Sequence, residues 1–170
     1  MPTKSSCCVV INEKEEVLLV LREDFRIWTL PGGGLELNET WEQAAVRETL
    51  EESGYEVAIK HYVGEYWRPQ LSHGEGDLRR VFIASVTNEV PSQHDKESID
   101  VRWFLVTALP KPMNRFVREH LLDALALPSS PLSKEQRLPP WMAMLLRTAL
   151  LVRNFRNHFF STTKNNPERE

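Results

Sequence analysis

The chain has 170 residues, 41% of them hydrophobic and 26% charged, with a formal net charge of −3. That is the length of one domain with a short appendage and the composition of an ordinary folded protein, which excludes collagen-like, low-complexity and wholly disordered chains. No apolar run reaches the roughly eighteen residues of a membrane-spanning helix, and the first residues lack the charged and apolar segments of a secretory signal.

Ser5–Ile11 and Val17–Leu21 read as two buried strands joined by a polar turn. The only two cysteines, Cys7 and Cys8, are neighbours on the first of these strands. Adjacent strand residues face opposite ways, so they are expected to be separate core thiols in a reducing, cytoplasmic protein. Arg22–Arg26 is a charged connection, followed by a short apolar stretch and then Pro31-Gly32-Gly33-Gly34. Three glycines in succession mark a backbone that needs unusual dihedrals or a close approach. Thr40–Ser53 is the best helix signature: Thr40 with Gln43 forms a capping box, and Gly54 supplies the stop. Val57–Trp67, Arg80–Val86 and Val101–Leu105 are expected strands, Phe116–Leu127 a helix, and Pro140–Phe160 a terminal helix. Strands and helices mix without regular alternation, which points to an α/β sandwich around a mixed sheet.

At about 100° per residue, Trp41, Ala44, Ala45, Glu48, Glu51 and Glu52 fall within an arc of about 120°. The three glutamates therefore continue an apolar stripe. They are like charges at i,i+3 and i,i+4 spacing, which destabilises a helix. Two readings fit: a solvated acidic face, or oxygen ligands for a hard cation such as Mg²⁺ or Mn²⁺, which is commonly shared with substrate phosphates. The glycine turn just upstream favours the second, because its free backbone groups can complete a metal and phosphate shell.

Gly33, five residues, Glu39, seven residues and then Arg47-Glu48-Thr49-Leu50-Glu51-Glu52-Ser53-Gly54-Tyr55 resembles the signature of the Nudix (MutT-like) hydrolases. Every charged and glycine position of that signature is present, with Thr49 and Tyr55 at aliphatic positions and Asn38 where glycine is frequent. Trp28–Gly33 and Glu97–Phe104 are also similar to the family. The resemblance implies a Nudix-type α/β/α sandwich around a mixed β-sheet over residues 4–127, with a Pro/Ser-containing linker at 128–139. The C-terminal helical extension at 140–170 lies outside it.

By the same resemblance the activity is metal-dependent hydrolysis of a pyrophosphate bond in a nucleoside diphosphate linked to another group. The substrate is then a nucleotide-type small molecule: ADP-ribose-like, a nucleotide sugar or a nucleoside triphosphate. Glu51 and Glu52 would be the main metal ligands, Glu48 a ligand or the general base, and the Gly32 carbonyl an extra ligand. Glu97 is the downstream candidate base, with Asp95 in reserve. Arg47 would hold a glutamate in place, Glu39 would support the loop–helix junction, and Gly33 and Gly54 would shape the motif. Pro69, fourteen residues past Tyr55, is a weak pointer to ADP-ribose. The alternatives are an RNA 5′-end pyrophosphohydrolase and a non-catalytic, nucleotide-sensing module, the latter disfavoured by the intact glutamates.

Arg22, between a strand and the glycine turn, is a candidate substrate contact. Tyr66, Trp67, Trp28 and Trp103 are expected in the core. None of His61, His73, His94, His120 and His158 has a partner at ligand spacing, and all five are expected at non-catalytic surface or polar positions. Residues 137–170 carry six basic and two acidic residues, so the extension is +4 and the body −7. Trp141, Leu145, Val152, Phe155 and Phe159 form a stripe along the extension. A packing element or homodimer contact is expected there, in preference to membrane or nucleic-acid binding.

Overall fold

Strands buried on both faces read as near-continuous apolar runs, and the chain begins with two of them. In β1 (Thr3–Val10) and β2 (Glu16–Arg22), Cys7 to Val10 and Val17 to Val20 are fully buried. The turn between them is closed by Asn12, whose Oδ1 accepts from the amides of Lys14 (2.9 Å) and Glu16 (3.0 Å). There follow β3 (Trp28–Thr29), α1 (Trp41–Ser53), β4 (Val57–Arg68), β5 (Asp77–Val86), β6 (Ser98–Leu105), α2 (Arg115–Leu125) and β7 (Leu132–Glu135). The computed structural model describes residues 2–71, 75–88, 91, 93, 98–142, 144, 145 and 148.

The β layer divides into two sheets. One is mixed, in the order β1-β5-β4-β7, with β1 parallel to β5, β4 antiparallel to β5 and β7 parallel to β4. The other is antiparallel, in the order β3-β2-β6. The single sheet expected from the sequence is thus split: β1 and β2 pack in one core cluster but form no ladder, and an isolated bridge, Ile11 to Val17, links the turn between them. Alternation along β1 builds the layers on either side. Cys7 and Val9 join a cluster with Val117, Leu121 and Ala124 of α2, whereas Cys8 and Val10 join one with Ala45 of α1. The result is an α/β/α sandwich with the two thiols on opposite faces, Cys8 Sγ donating to the Ala45 carbonyl at 3.5 Å.

Two placements depart from the sequence reading. Leu132–Glu135, inside the segment expected to be a linker, is β7. It lies against Gly64, where any Cβ would collide with the Leu132 backbone, so the parallel pairing of β4 with β7 depends on that glycine. His120, expected at the surface or in a polar setting, is only 2% exposed and sits under Tyr66 with its Nε2 3.2 Å from Gln136 Oε1. Burial keeps its imidazole neutral, and the nearby Arg79 and Arg68 charges act in the same direction.

The chain divides into two compact units, Met1–Gln136 and Arg137–Glu170. In the second, the described residues from Pro140 are helical, with the Met142 amide donating to the Pro139 carbonyl at 2.9 Å. Most of the expected terminal helix lies outside the described residues. Among those described, no helix is long and apolar enough to cross a membrane.

Candidate active site

The acidic stripe is held by a helix with both ends fixed. Thr40 Oγ1 accepts from the Gln43 amide (3.2 Å), and Gln43 Oε1 accepts from the Thr40 amide (2.8 Å), so the capping box forms. Gly54 ends α1 in the left-handed region, its amide donating to the Leu50 carbonyl at 2.7 Å. Before the helix, the glycine turn is tied to β1: the Ser6 amide donates to Gly33 (2.9 Å) and the Cys8 amide to Pro31 (3.1 Å). Asn38, at the frequent-glycine position, has φ 65°, which asparagine tolerates better than most side chains.

Arg47 organises the exposed half of the site. Its Nε and Nη2 form a fork on the Glu39 carboxylate at 2.9 and 3.0 Å. Nη1 bonds Glu48 Oε1 and Glu51 Oε2, each at 2.9 Å, and Nη2 also reaches the Gly34 carbonyl at 2.9 Å. All five guanidinium donor directions are used, across three carboxylates and one carbonyl. The Arg47 hydrogen bonds hold the Glu39 carboxyl below the usual carboxylate range. Glu39 Oε2 in turn accepts from the Glu36 amide (2.9 Å), which joins the loop to the helix.

The three glutamates differ in exposure: the Glu51 side chain is 48% exposed and that of Glu48 17%, while Glu52 is 4% exposed. Glu48 lies against Gly33, where a Cβ would run into its carboxylate. Glu52 Oε2 accepts from the Gly32 amide at 2.8 Å. Desolvation pushes the Glu52 carboxyl up to about 7, with the Gly32 amide and the charges of Arg22 and Arg79 only partly offsetting it. A buried carboxylate with one hydrogen-bond donor is short of positive charge. Its oxygens, with those of Glu48 and Glu51, are the hard donors that suit Mg²⁺ or Mn²⁺. Among the described residues no three histidine, cysteine or carboxylate side chains stand together in a group that could hold a metal ion. Glu48 and Glu51 are drawn to Arg47, and Glu52 to the Gly32 amide.

Arg22 is engaged by Asp24 in a bidentate pair, Nε to Oδ1 and Nη2 to Oδ2, both at 2.9 Å. Glu97 and its reserve Asp95 lie outside the described residues. A cleft of about 840 Å³ between the Val106–Met113 loop and α2 shares no lining residue with the acidic face. Sequence reasoning missed two things here. It named the Gly32 carbonyl but did not foresee the bond from the Gly32 amide to Glu52. It also passed over Arg79, although strand alternation sets that residue on the same face as Asp77 and Val81.

Arg47→Lys tests the hub. One ammonium cannot reproduce a planar five-donor fork. We expect a loss of about 1–3 kcal/mol in unfolding free energy and a drop in activity as Glu48 and Glu51 lose their common anchor. A melting temperature and turnover equal to wild type would show the hub to be dispensable.

Comparisons with known proteins bear on the same residues. A family model described as NUDIX domain matches residues 1–125. A protein of Bacillus subtilis (strain 168) carrying the provisional name 8-oxo-dGTP diphosphatase is 36% identical over 110 residues, 65% of this chain and 71% of that protein. A MutT-like protein of Streptomyces ambofaciens is 33% identical over 117 residues, 69% of this chain and 73% of that one. The crystal structure of a NUDIX hydrolase from Nitrosomonas europaea aligns with a TM-score of 0.67 at 25% identity, over 81% of this chain and 80% of its own.

Proposed function

The chain belongs to the Nudix family of hydrolases acting on phosphoric anhydride bonds, and from that premise we propose that it cleaves the pyrophosphate bond of a nucleoside triphosphate or related nucleoside diphosphate derivative at the acidic face of α1. The observation that carries this reading is Glu52: a carboxylate 4% exposed and held by the Gly32 amide, on the same helix face as Glu48 and Glu51. The triphosphate form is supported by the likeness to the Bacillus subtilis protein.

Nudix hydrolases generally use divalent metal ions, and the all-oxygen donor set fits one. Glu51 and Glu52 would hold Mg²⁺ or Mn²⁺, with Glu48 beside them and the Gly32 carbonyl as a further oxygen. When bound, the ion supplies charge neutralisation at the pyrophosphate and a more acidic attacking water. The chain's own residues do the rest. Arg47 fixes Glu48 and Glu51 relative to the loop through Glu39 and the Gly34 carbonyl. Burial of Glu52 keeps competing water away from the carboxylate. Glu48 and Glu97 are the candidates for accepting the proton of the attacking water. Arg22, at the end of β2 and paired with Asp24, would meet substrate.

The test is a product assay with Mg²⁺ and with Mn²⁺, with and without EDTA. Its panel includes standard and 8-oxo nucleoside triphosphates, ADP-ribose, nucleotide sugars and 5′-triphosphate RNA. EDTA-sensitive cleavage of triphosphates is expected. Preference for ADP-ribose or RNA would move the leaving group while keeping the site; silence across the whole panel would overturn the reading.

A further inference from the structure

Arg79 lies in parallel register with Ser5 across the β1–β5 pair, and its Nε donates to Ser5 Oγ at 3.0 Å. Ser5 is bridged to Gly34, and the next residue, Ser6, bonds Gly33 through its amide. The guanidinium is therefore anchored on the stretch of β1 that carries the glycine turn, and it is only partly buried.

The charges around it do not balance. Among the described residues the carboxylate hydrogen-bonded beside Arg68 and Arg79 is Asp77, and Asp77 is already engaged. It accepts from Arg68 Nε at 2.8 Å and from Arg68 Nη2, from Thr3 Oγ1 at 2.9 Å, and from Ser5 Oγ at 3.0 and 3.2 Å. No carboxylate among the described residues forms an ion pair with Arg79. Cys7, on the same face, supplies no anion, because burial pushes its thiol up. The excess positive charge is felt within the pair: Arg68 is lowered to about 10 by desolvation first and by Arg79 next. Arg80 is accounted for differently, stacked on Trp41 (4.6 Å) and Tyr62 (5.5 Å) with Glu65 at 3.5 Å. Arg79 and Arg22, from different sheets, both act on Glu52.

A guanidinium fixed through Nε, with its Nη groups left without an acid, is preorganised for phosphoryl oxygens. We propose that Arg79 is a substrate-binding residue whose Nη groups take oxygens of the substrate's pyrophosphate chain beside the glycine turn. This rests on the reading of the acidic face as an anhydride-cleaving site, which the experiment keeps separable.

KM and kcat are measured for wild type, Arg79→Met and Arg79→Lys on the best nucleotide, and binding of inorganic pyrophosphate is measured by calorimetry. Arg79→Met is expected to raise KM and the pyrophosphate Kd at least tenfold with a smaller fall in kcat, and Arg79→Lys to lie between it and wild type. KM and Kd within twofold of wild type would overturn the proposal, as would a fall in kcat alone. If Arg79→Met does not fold, Arg79→Lys decides: a rise of threefold or more in both constants supports the proposal, and no change overturns it. A wild type that binds pyrophosphate through Arg79 but hydrolyses nothing would overturn the anhydride reading and leave Arg79 as a phosphate ligand.

Discussion

Replacing Glu52 with glutamine is expected to lower turnover roughly a thousandfold, the effect of about 4 kcal/mol of lost transition-state stabilisation, while making the metal-free fold more stable. Both effects come from one buried carboxyl. Glu52 is 4% exposed and has a backbone donor, the Gly32 amide. Glutamine keeps an acceptor for that amide and removes the charge. What it cannot do is meet a divalent cation with a negative oxygen. If Glu52→Gln retained near-normal rates with Mg²⁺, Glu52 would not be a metal ligand.

The stability half of the same prediction has a defined pH dependence. Below pH 4.5, the ordinary value for a glutamate, the carboxyl is protonated in folded and unfolded chains alike and burial carries no charge penalty. Between pH 4.5 and about 7 the unfolded chain releases the proton while the folded chain retains it. Stability therefore falls as pH rises through this window and levels off above it, a loss of ~3 kcal/mol in the metal-free protein. Urea unfolding of wild type and Glu52→Gln in EDTA at pH 5 and pH 8 isolates the effect, since other titrations largely cancel in the difference. The variant should gain on wild type as pH rises, and Mg²⁺ should restore wild type alone. A difference independent of pH would show that Glu52 is not desolvated in solution.

The helix that carries this site was legible because its signals are local. The Thr40–Gln43 box, the Gly54 stop and the stripe of Trp41, Ala44, Ala45 and the glutamates all lie within one run of sequence. The tolerance of Asn38 for a positive φ was readable for the same reason. The partnership of the strands was not: alternation says which face a residue takes, and β2 pairs with β3 and β6 instead of the β1 that precedes it. β7 was hidden in a Pro/Ser-rich stretch because its pairing depends on a glycine in β4, far away in sequence. His120 could have been placed. Val117, His120, Leu121 and Ala124 keep the i, i+3, i+4, i+7 spacing of a buried face, and all four are buried. The reading that a lone histidine defaults to a surface or polar position overlooked that spacing.

Alanine placed in turn at the three glycines of the turn should give three different outcomes, the largest of them a severe loss of stability. At Gly32, with φ 151°, a Cβ is both conformationally unfavourable and directed into the Ser6 carbonyl and the Cys7 backbone. Neither obstacle is a flexible side-chain end, so β1 or the turn must move, and the Gly32 amide moves away from Glu52. Strain and overpacking together put the cost on the order of 4 kcal/mol. At Gly33 the obstacle is the Glu48 carboxylate, which can swing away. Stability should change little there, but Glu48 would leave its position beside the turn and Arg47, and turnover should fall with the fold intact. At Gly34 the nearest atom to a new Cβ is the Lys4 carbonyl at 3.9 Å, so the substitution should stay within about 0.5 kcal/mol of wild type. Circular dichroism melts and the product assay on the three variants check the order. The decisive comparison is Gly33→Ala with Gly34→Ala. Equal activity in the two would mean that the place of Glu48 against the turn does not matter to the chemistry, whereas a selective loss at Gly33 would tie the backbone of the turn to the acidic face of α1.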